Sequence, residues 1–231
     1  MTDTPITIGA ATLYLGDFYD LHYQILAAHK ITTLVTDPPY DFNTSGGGIF
    51  RRNRDNMDKI QAAGIDKGFD HTFIYPPHFQ SAVVFCHNDQ LSTLIPYLEK
   101  QYDQSCLLAW HKSNPMPVAN HHYKPDTEYY IHAWQKDAYP QGELRFKDRY
   151  FFGTNGKSDF DHPTVKPLAL MDKIMINISG DVVLDPFMGT GTTGLAAIRA
   201  GKQFIGCEIN PEFFQCAIER LENYYNQPAL I

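Results

Sequence analysis

The sequence predicts a doubly wound α/β fold, and three observations carry that expectation. First, short β-branched apolar runs recur between helical patterns: Ile31 to Thr36, Ser81 to Cys86 and Asp181 to Asp185. Such runs have the length and composition of buried strands. Second, the run ending at Asp185 enters Pro186-Phe187-Met188-Gly189-Thr190-Gly191-Thr192, followed by a helical pattern and another strand ending at Glu208. Strand, glycine-rich turn, helix, strand, acid is a nucleotide-binding βαβ unit. Third, the strand from Ile31 ends at Asp37-Pro38-Pro39-Tyr40. An acid and an aromatic ring are thereby left at the carboxyl end of a strand, where open α/β sheets hold their ligands.

The elements follow in order. Thr12 to Leu15 reads as a strand ending at Gly16-Asp17, and Leu21 to His29 is amphipathic. Two prolines stop the strand before Asp37, because neither can donate a ladder hydrogen bond. Residues 41 to 80 carry Gly46-Gly47-Gly48, then Arg51, Arg52 and Arg54. That stretch is too long for a simple loop in a compact domain, so an inserted loop is expected there. After the strand at 81 to 86, Asn88 is placed to cap a helix running to about Lys100. Cys106 to Trp110 and Thr127 to Trp134 are two further strands, whereas 135 to 160 is polar, aromatic and irregular. Pro167 to Ile178 has helical spacing, and a helix from Leu195 to Ala200 is closed by Gly201. Asn210-Pro211-Glu212 is a cap, a proline at the first helical position and an acid in the first turn, opening a helix to about Tyr224.

The 231 residues suffice for one domain with a small insert, and they contain no internal repeat. Met1 to Ala10 lacks a basic segment followed by an apolar one, so no signal peptide is expected, and no apolar run reaches membrane-spanning length. Cys86, Cys106, Cys207 and Cys216 show no Cys-x-x-Cys spacing and read as buried free thiols in a reducing, cytoplasmic setting. The formal net charge of −7 leaves no global basic footprint, so a nucleic-acid partner would need a local basic patch.

Two sites carry chemistry. Asp37 and a proline-fixed carbonyl at Pro38 can both accept from an amino group, while the Tyr40 ring can stack on the planar molecule bearing it. Gly189, Gly191 and Gly194 have the Gly-x-Gly-x-x-Gly spacing of dinucleotide sites, and Glu208, 23 residues after Asp185, is placed for ribose hydroxyls. Yet Asp185 stands directly before that loop, and a carboxylate suits a cationic ligand better than a pyrophosphate. S-adenosylmethionine carries a sulfonium and an ammonium and no phosphate. The residues alone leave it and a nicotinamide or flavin dinucleotide both open.

Asp37-Pro38-Pro39-Tyr40, then His162-Pro-Thr164-Val-Lys166-Pro, then Asp185-Pro186-Phe187-Met188-Gly189-Thr190-Gly191-Thr192, in that order, resemble a β-class DNA amino-methyltransferase. The resemblance covers nearly the whole chain and is greatest for the compact adenine-specific members of bacteria and phages. It implies a Rossmann-like methyltransferase sheet, circularly permuted, spanning 1 to 231 as a single domain with an inserted loop at about 41 to 80. A target-recognition region would lie at about 111 to 160. It implies S-adenosylmethionine as cofactor, duplex DNA as partner, and a bacterial or phage-encoded, nucleoid-associated protein; it is compatible with a homodimer.

The same resemblance assigns roles. Asp185, Pro186, Phe187, Gly189, Thr190, Gly191 and Thr192 would line the cofactor, Glu208 would hold its ribose, and Asp17 would sit near its adenine ring. His162, Thr164 and Lys166 match the motif for the methionine end. The bland alternatives are a helix cap at His162, a solvated surface charge at Lys166 and an ordinary turn at Asp17.

The implied reaction is direct, in-line methyl transfer to the N6 amine of an adenine flipped out of the duplex, with Tyr40 as its stacking platform. N4-cytosine methylation, RNA or protein amine methylation, and an inactive DNA-binding subunit are the rivals. Expected DNA contacts are Arg51, Arg52 and Arg54 on phosphates. His122 and Lys124 form a second basic-aromatic cluster with His121 and Tyr123, and 139 to 158, with Arg145, Lys147, Arg149 and Lys157, is the candidate for sequence readout. The histidines match no zinc spacing, so no metal is expected, and without a membrane-spanning run no membrane partner is expected either.

Overall fold

The computed structural model describes residues 4–40, 68–115, 123–154 and 165–227. Nine strands among them form one sheet: β1 Ile6–Ile8, β2 Ala11–Leu15, β3 Thr33–Thr36, β4 Ser81–Cys86, β5 Gln104–Lys112, β6 Thr127–Trp134, β7 Tyr150–Gly153, β8 Val182–Asp185 and β9 Gln203–Glu208. Their spatial order is β1-β2-β9-β8-β3-β4-β6-β5-β7. The run from β2 to β4 is parallel throughout, β6 runs against both β4 and β5, and β7 lies parallel to β5.

Period-two alternation sends successive side chains to opposite faces. Val35, Val83 and Phe85 pack on one face with α3 Leu168–Asn177, α4 Thr192–Arg199 and α5 Pro211–Asn226. Leu34, Ala82 and Val84 pack on the other with α1 Phe18–Ala28 and α2 Leu91–Gln101. Helices on both faces explain why the central strands read as continuous apolar runs. This is the doubly wound sheet expected, and the βαβ unit formed by β8, α4 and β9 follows β3 in sequence, as the permuted order requires.

Several boundaries differ from expectation. α1 starts at Phe18, because the Asp17 carboxylate caps it by accepting from the Tyr19 amide at 2.9 Å. His87, not Asn88, caps the next helical segment: its ring accepts from the Asp89 amide, and Gln90 returns to the His87 amide. α4 starts at Thr192, with Gly191 taking φ +77° as its cap, and Gly201 closes it at φ +73°. The sequence pattern predicts neither β1 nor β7. β7 lies in the region expected to be irregular, where the aromatic run Tyr150 to Phe152 pairs beside β5.

The end of the expected insert, 68 to 80, belongs to the core: Ile74 and Phe79 are fully buried. All four cysteines are free, but Cys106 and Cys216 are only half-buried, on a strand near the sheet edge and on the flank of α5. No helix among the described residues is long and apolar enough to cross a membrane.

Candidate active site

The parallel strands β2, β9, β8, β3 and β4 all end at one edge of the sheet, and the antiparallel β6 begins there. Along that edge lies a cavity of about 580 Å³. Of the residues singled out in the sequence, Asp17, Asp37, Pro38, Pro39, Tyr40, Lys166, Asp185, Pro186, Phe187, Gly189, Thr190, Thr192 and Glu208 line it. The two motifs 148 residues apart thus share one wall, and a direct bond joins them: the Thr36 hydroxyl donates to Asp185 Oδ1 at 2.8 Å.

Asp185 is buried under the loop it precedes. Its Oδ1 also accepts from the Phe187 amide at 3.1 Å, and the Thr193 hydroxyl bonds to the same carboxylate. Burial pushes this carboxyl up to about 7, against the pull of those donors. Glu208 braces the far side of the loop. Its Oε2 accepts from the Gly189 amide at 2.9 Å and its Oε1 from the Asn210 amide at 2.8 Å. Burial raises its pKa as well. Both oxygens keep a further lone pair for a ligand hydroxyl. Gly191 is needed for its backbone: φ is +77°, and an added Cβ would sit 3.0 Å from the Ala217 Cβ.

Asp37 stands at the tip of β3 with both oxygens engaged. The Tyr40 hydroxyl donates to Oδ1 at 2.8 Å and Lys166 Nζ to Oδ2 at 2.5 Å. Lys166 also lies 3.2 Å from Glu128 Oε2, and Lys112 Nζ lies 2.5 Å from Glu128 Oε1. The Lys166 side chain is only 6% exposed, so the alternative of a solvated surface charge fails. Its ammonium sits 5.5 Å from the Tyr40 ring centre and 5.1 Å from that of Phe85. Burial opposes the Lys166 charge, but Asp37 and Glu128 outweigh it and hold the pKa above the ordinary lysine value. Burial raises the Asp37 carboxyl, with a further push from Glu128, and Lys166 offsets this only in part. Glu128 has two lysines, which overcome its burial and lower its pKa.

Glu128 and Lys112 were missed in the sequence. The available signal was an acid inside an otherwise apolar and aromatic strand, Thr127 to Trp134. Tyr19 and Phe69 were missed too; both line the cavity and pack on Phe187, Tyr19 tilted at 6.3 Å and Phe69 edgewise at 6.0 Å between ring centres. Nothing local in the sequence marks them. Asp17, expected near a ligand or in a plain turn, is a helix cap that also lines the cavity.

Five carboxylates line the cavity (Asp17, Asp37, Glu128, Asp185, Glu208), against the two lysines already paired to Asp37 and Glu128. A pyrophosphate would find no unpaired cation among these lining residues, whereas a cationic ligand without phosphate fits the wall. Among the described residues no group of His, Cys, Asp or Glu is arranged to hold a metal ion.

The remaining expectations lie elsewhere. Lys124, Arg145 and Lys147 are exposed and do not line the cavity. Arg145 pairs with Glu143 at 3.1 Å, with both side chains open to solvent. Arg51, Arg52, Arg54, His122, His162 and Thr164 lie outside the described residues.

A family model described as DNA methylase matches residues 31–219. The DNA adenine methyltransferase YhdJ of Escherichia coli (strain K12) is 50% identical over 64 residues, which span 27% of this chain and 22% of that protein. The Type II methyltransferase M2.DpnII of Streptococcus pneumoniae is 25% identical over 226 residues, covering 82% of this chain and 81% of that protein. Among solved structures, the M1.HpyAVI–SAM complex superposes with a TM-score of 0.64 at 29% identity, covering 91% of this chain and 99% of that one.

Proposed function

The chain belongs to the DNA methylase family, and on that premise we propose that it transfers the methyl group of S-adenosylmethionine to the N6 amine of adenine in duplex DNA. One observation carries this reading: Asp37 and Tyr40 share a single cavity with Gly189, Thr190 and Thr192 of the glycine loop and with Glu208, while Gly191, expected at the cofactor, shapes the loop without lining the cavity. An amine acceptor and a nucleoside-binding loop are then within reach of one bound pair of reactants. The name of the Escherichia coli relative, an adenine methyltransferase, and the complex of the M1.HpyAVI structure with SAM point the same way.

When bound, S-adenosylmethionine supplies an electrophilic methyl group on a sulfonium. In this reading Glu208 takes the ribose hydroxyls on its remaining lone pairs, and Phe187, backed by Tyr19 and Phe69, forms the apolar wall for the adenine ring. Asp17 closes the same end. The acidic wall favours a cation.

At the other end, Asp37 and the Pro38 carbonyl accept from the target amine and turn its lone pair out of conjugation, toward the methyl donor. As the N–CH3 bond forms, the S–CH3 bond would break to leave a neutral thioether; Asp37 stabilises the charge developing on the amine, which then gives up its extra proton to water. Tyr40 holds Asp37 through its hydroxyl and offers its ring as the platform for the base. Its phenol is held far above its ordinary pKa by burial and by Asp37, so it remains a donor. The amine is out of reach inside a duplex, so the adenine must be flipped out.

DNA is proposed to lie across the edge that carries Tyr150 and Phe152, exposed by 66% and 64%, and the cations Lys147 and Arg149. A homodimer is compatible with this reading. We place the protein in the bacterial cytoplasm, on the nucleoid.

The test is methylation of unmodified DNA by the purified protein with labelled S-adenosylmethionine, followed by nucleoside identification by mass. N6-methyladenine is expected. N4-methylcytosine as the main product, or no methylated nucleoside at all, would overturn the reading.

A further inference from the structure

Lys112, Glu128, Lys166 and Asp37 form a largely shielded chain of alternating charges, with Lys166 buried at its centre, that leads from β5 through β6 to the reactive end of β3. Resting on the amine-acceptor reading of Asp37, we propose that Glu128 is a positioning residue for methyl transfer: it holds Lys166 as a second acid, with Lys112 as its own anchor, and so prevents Asp37 from being fully neutralised.

The geometry is asymmetric in the direction this needs. Glu128 receives two ammonium groups, one on each oxygen, whereas Asp37 receives one ammonium and a neutral phenol. Glu128 Oε2 is shielded from solvent and makes no hydrogen bond beyond its ion-pair contact with Lys166. Lys166 is therefore shared, not owned by Asp37.

The consequence is chemical. A carboxylate tightly neutralised by its own lysine is a weak acceptor for a neutral amine and a weak stabiliser of a nascent ammonium. One whose lysine is drawn off by a second anion keeps more negative potential at the reacting nitrogen. Among the described residues, the titratable groups facing Asp37 are Tyr40 on its own loop, Lys166 before α3, Glu128 on β6, Cys86 on β4 and Asp185 on β8. Of these, Lys166 alone is a cation, so its division between the two acids sets the field at Asp37. The structure thus gives Lys166 a role at the amine end of the cavity in addition to the cofactor role that its motif implies.

Two substitutions should move Asp37 in opposite directions. Glu128→Gln removes the competing anion and leaves Lys166 to Asp37. Lys112→Met removes Glu128's second cation and draws Lys166 toward Glu128. The Asp37 carboxyl carbon is titrated by NMR, assigned through its loss in Asp37→Ala. Its midpoint should fall in Glu128→Gln and rise in Lys112→Met, by about one unit each. Single-turnover transfer at saturating cofactor should drop about tenfold in Glu128→Gln, the equivalent of one unit. Cofactor affinity by calorimetry should stay within a few-fold of the parent in both.

Midpoints that stay put, or that move the same way in both variants, would overturn the proposal, as would a parental rate in Glu128→Gln. If Glu128→Gln does not fold, Lys112→Met decides alone, and an unmoved Asp37 midpoint overturns the proposal. A parent protein that methylates no DNA would instead sink the functional reading, while the titrations, which need no substrate, would still judge the charge chain.

Discussion

At Asp37 the two donors set the geometry of a carboxylate that a target amine must also reach. Tyr40 approaches Oδ1 and Lys166 approaches Oδ2, so both oxygens are oriented before any base arrives. Asp37→Ala should therefore cut methyl transfer by at least about 100-fold, a typical cost of losing one preorganised polar group at the reacting centre. Binding of S-adenosylmethionine should change by no more than a few-fold, because Glu208 and the glycine loop remain. Single-turnover rates and calorimetry on the same preparation check both halves, and near-parental turnover would remove Asp37 from the mechanism. The residue types at this site were legible in the sequence because prolines and an aromatic ring at a strand end form a local pattern. Glu128 was not, because its meaning depends on lysines brought to it by another strand and by the segment before α3.

Among the elements, β7 and the turn before it stand out as a surface pinned from below. Lys173 on α3 donates to the Asp148 carbonyl at 2.7 Å and to the Tyr150 carbonyl at 2.9 Å, and Asn177 donates to the Phe146 carbonyl at 2.9 Å. These bonds hold Tyr150 and Phe152 outward on the last strand of the sheet, with His111 stacked on Phe152 at 5.3 Å between ring centres. If this edge meets DNA, Tyr150→Ala with Phe152→Ala should weaken binding by about 1–3 kcal/mol for each base that stacks there. Lys173→Met should weaken it too, by loosening the same segment, while leaving cofactor affinity unchanged. Fluorescence anisotropy with a labelled duplex measures both, and unchanged affinity in both variants would move the DNA off this edge. Sequence patterning could not mark β7, because its exposure alternates while residues 150 to 152 are all aromatic, so the short run shows no polar–apolar period.

For the whole molecule, the pH dependence of stability tests the buried acid at the switch between β3 and β8. The folded pKa of Asp185, about 7, lies above its ordinary value of 3.8. A raised folded pKa means that the native state binds the proton more tightly than the unfolded chain. The contribution of Asp185 is thus fully present below about pH 4 and is lost as pH rises through about 7. Asp185→Asn, which keeps the shape, should flatten the fall in stability between those limits, as denaturant titrations at several pH values would show. A parental slope in the variant would mean that Asp185 titrates normally. By the same linkage, a cationic ligand that favours the ionised form should release protons on binding near neutral pH, which calorimetry in buffers of different ionisation enthalpy detects.

What the sequence by itself determined is local. It set the central strands, the order of the two motifs, the βαβ unit with its left-handed glycine at 191 and the cap at Asn210, because each rests on periodicity or on backbone freedom within a few residues. The tertiary structure alone decided which charges meet. Lys166 reaches Asp37 across 129 residues of sequence. It reaches Glu128 because β6 runs antiparallel and so starts at the edge where β3 and β4 end. Strand polarity in that half of the sheet follows from long-range pairing and not from the composition of any one strand, and an ion pair depends on distances that pairing alone sets.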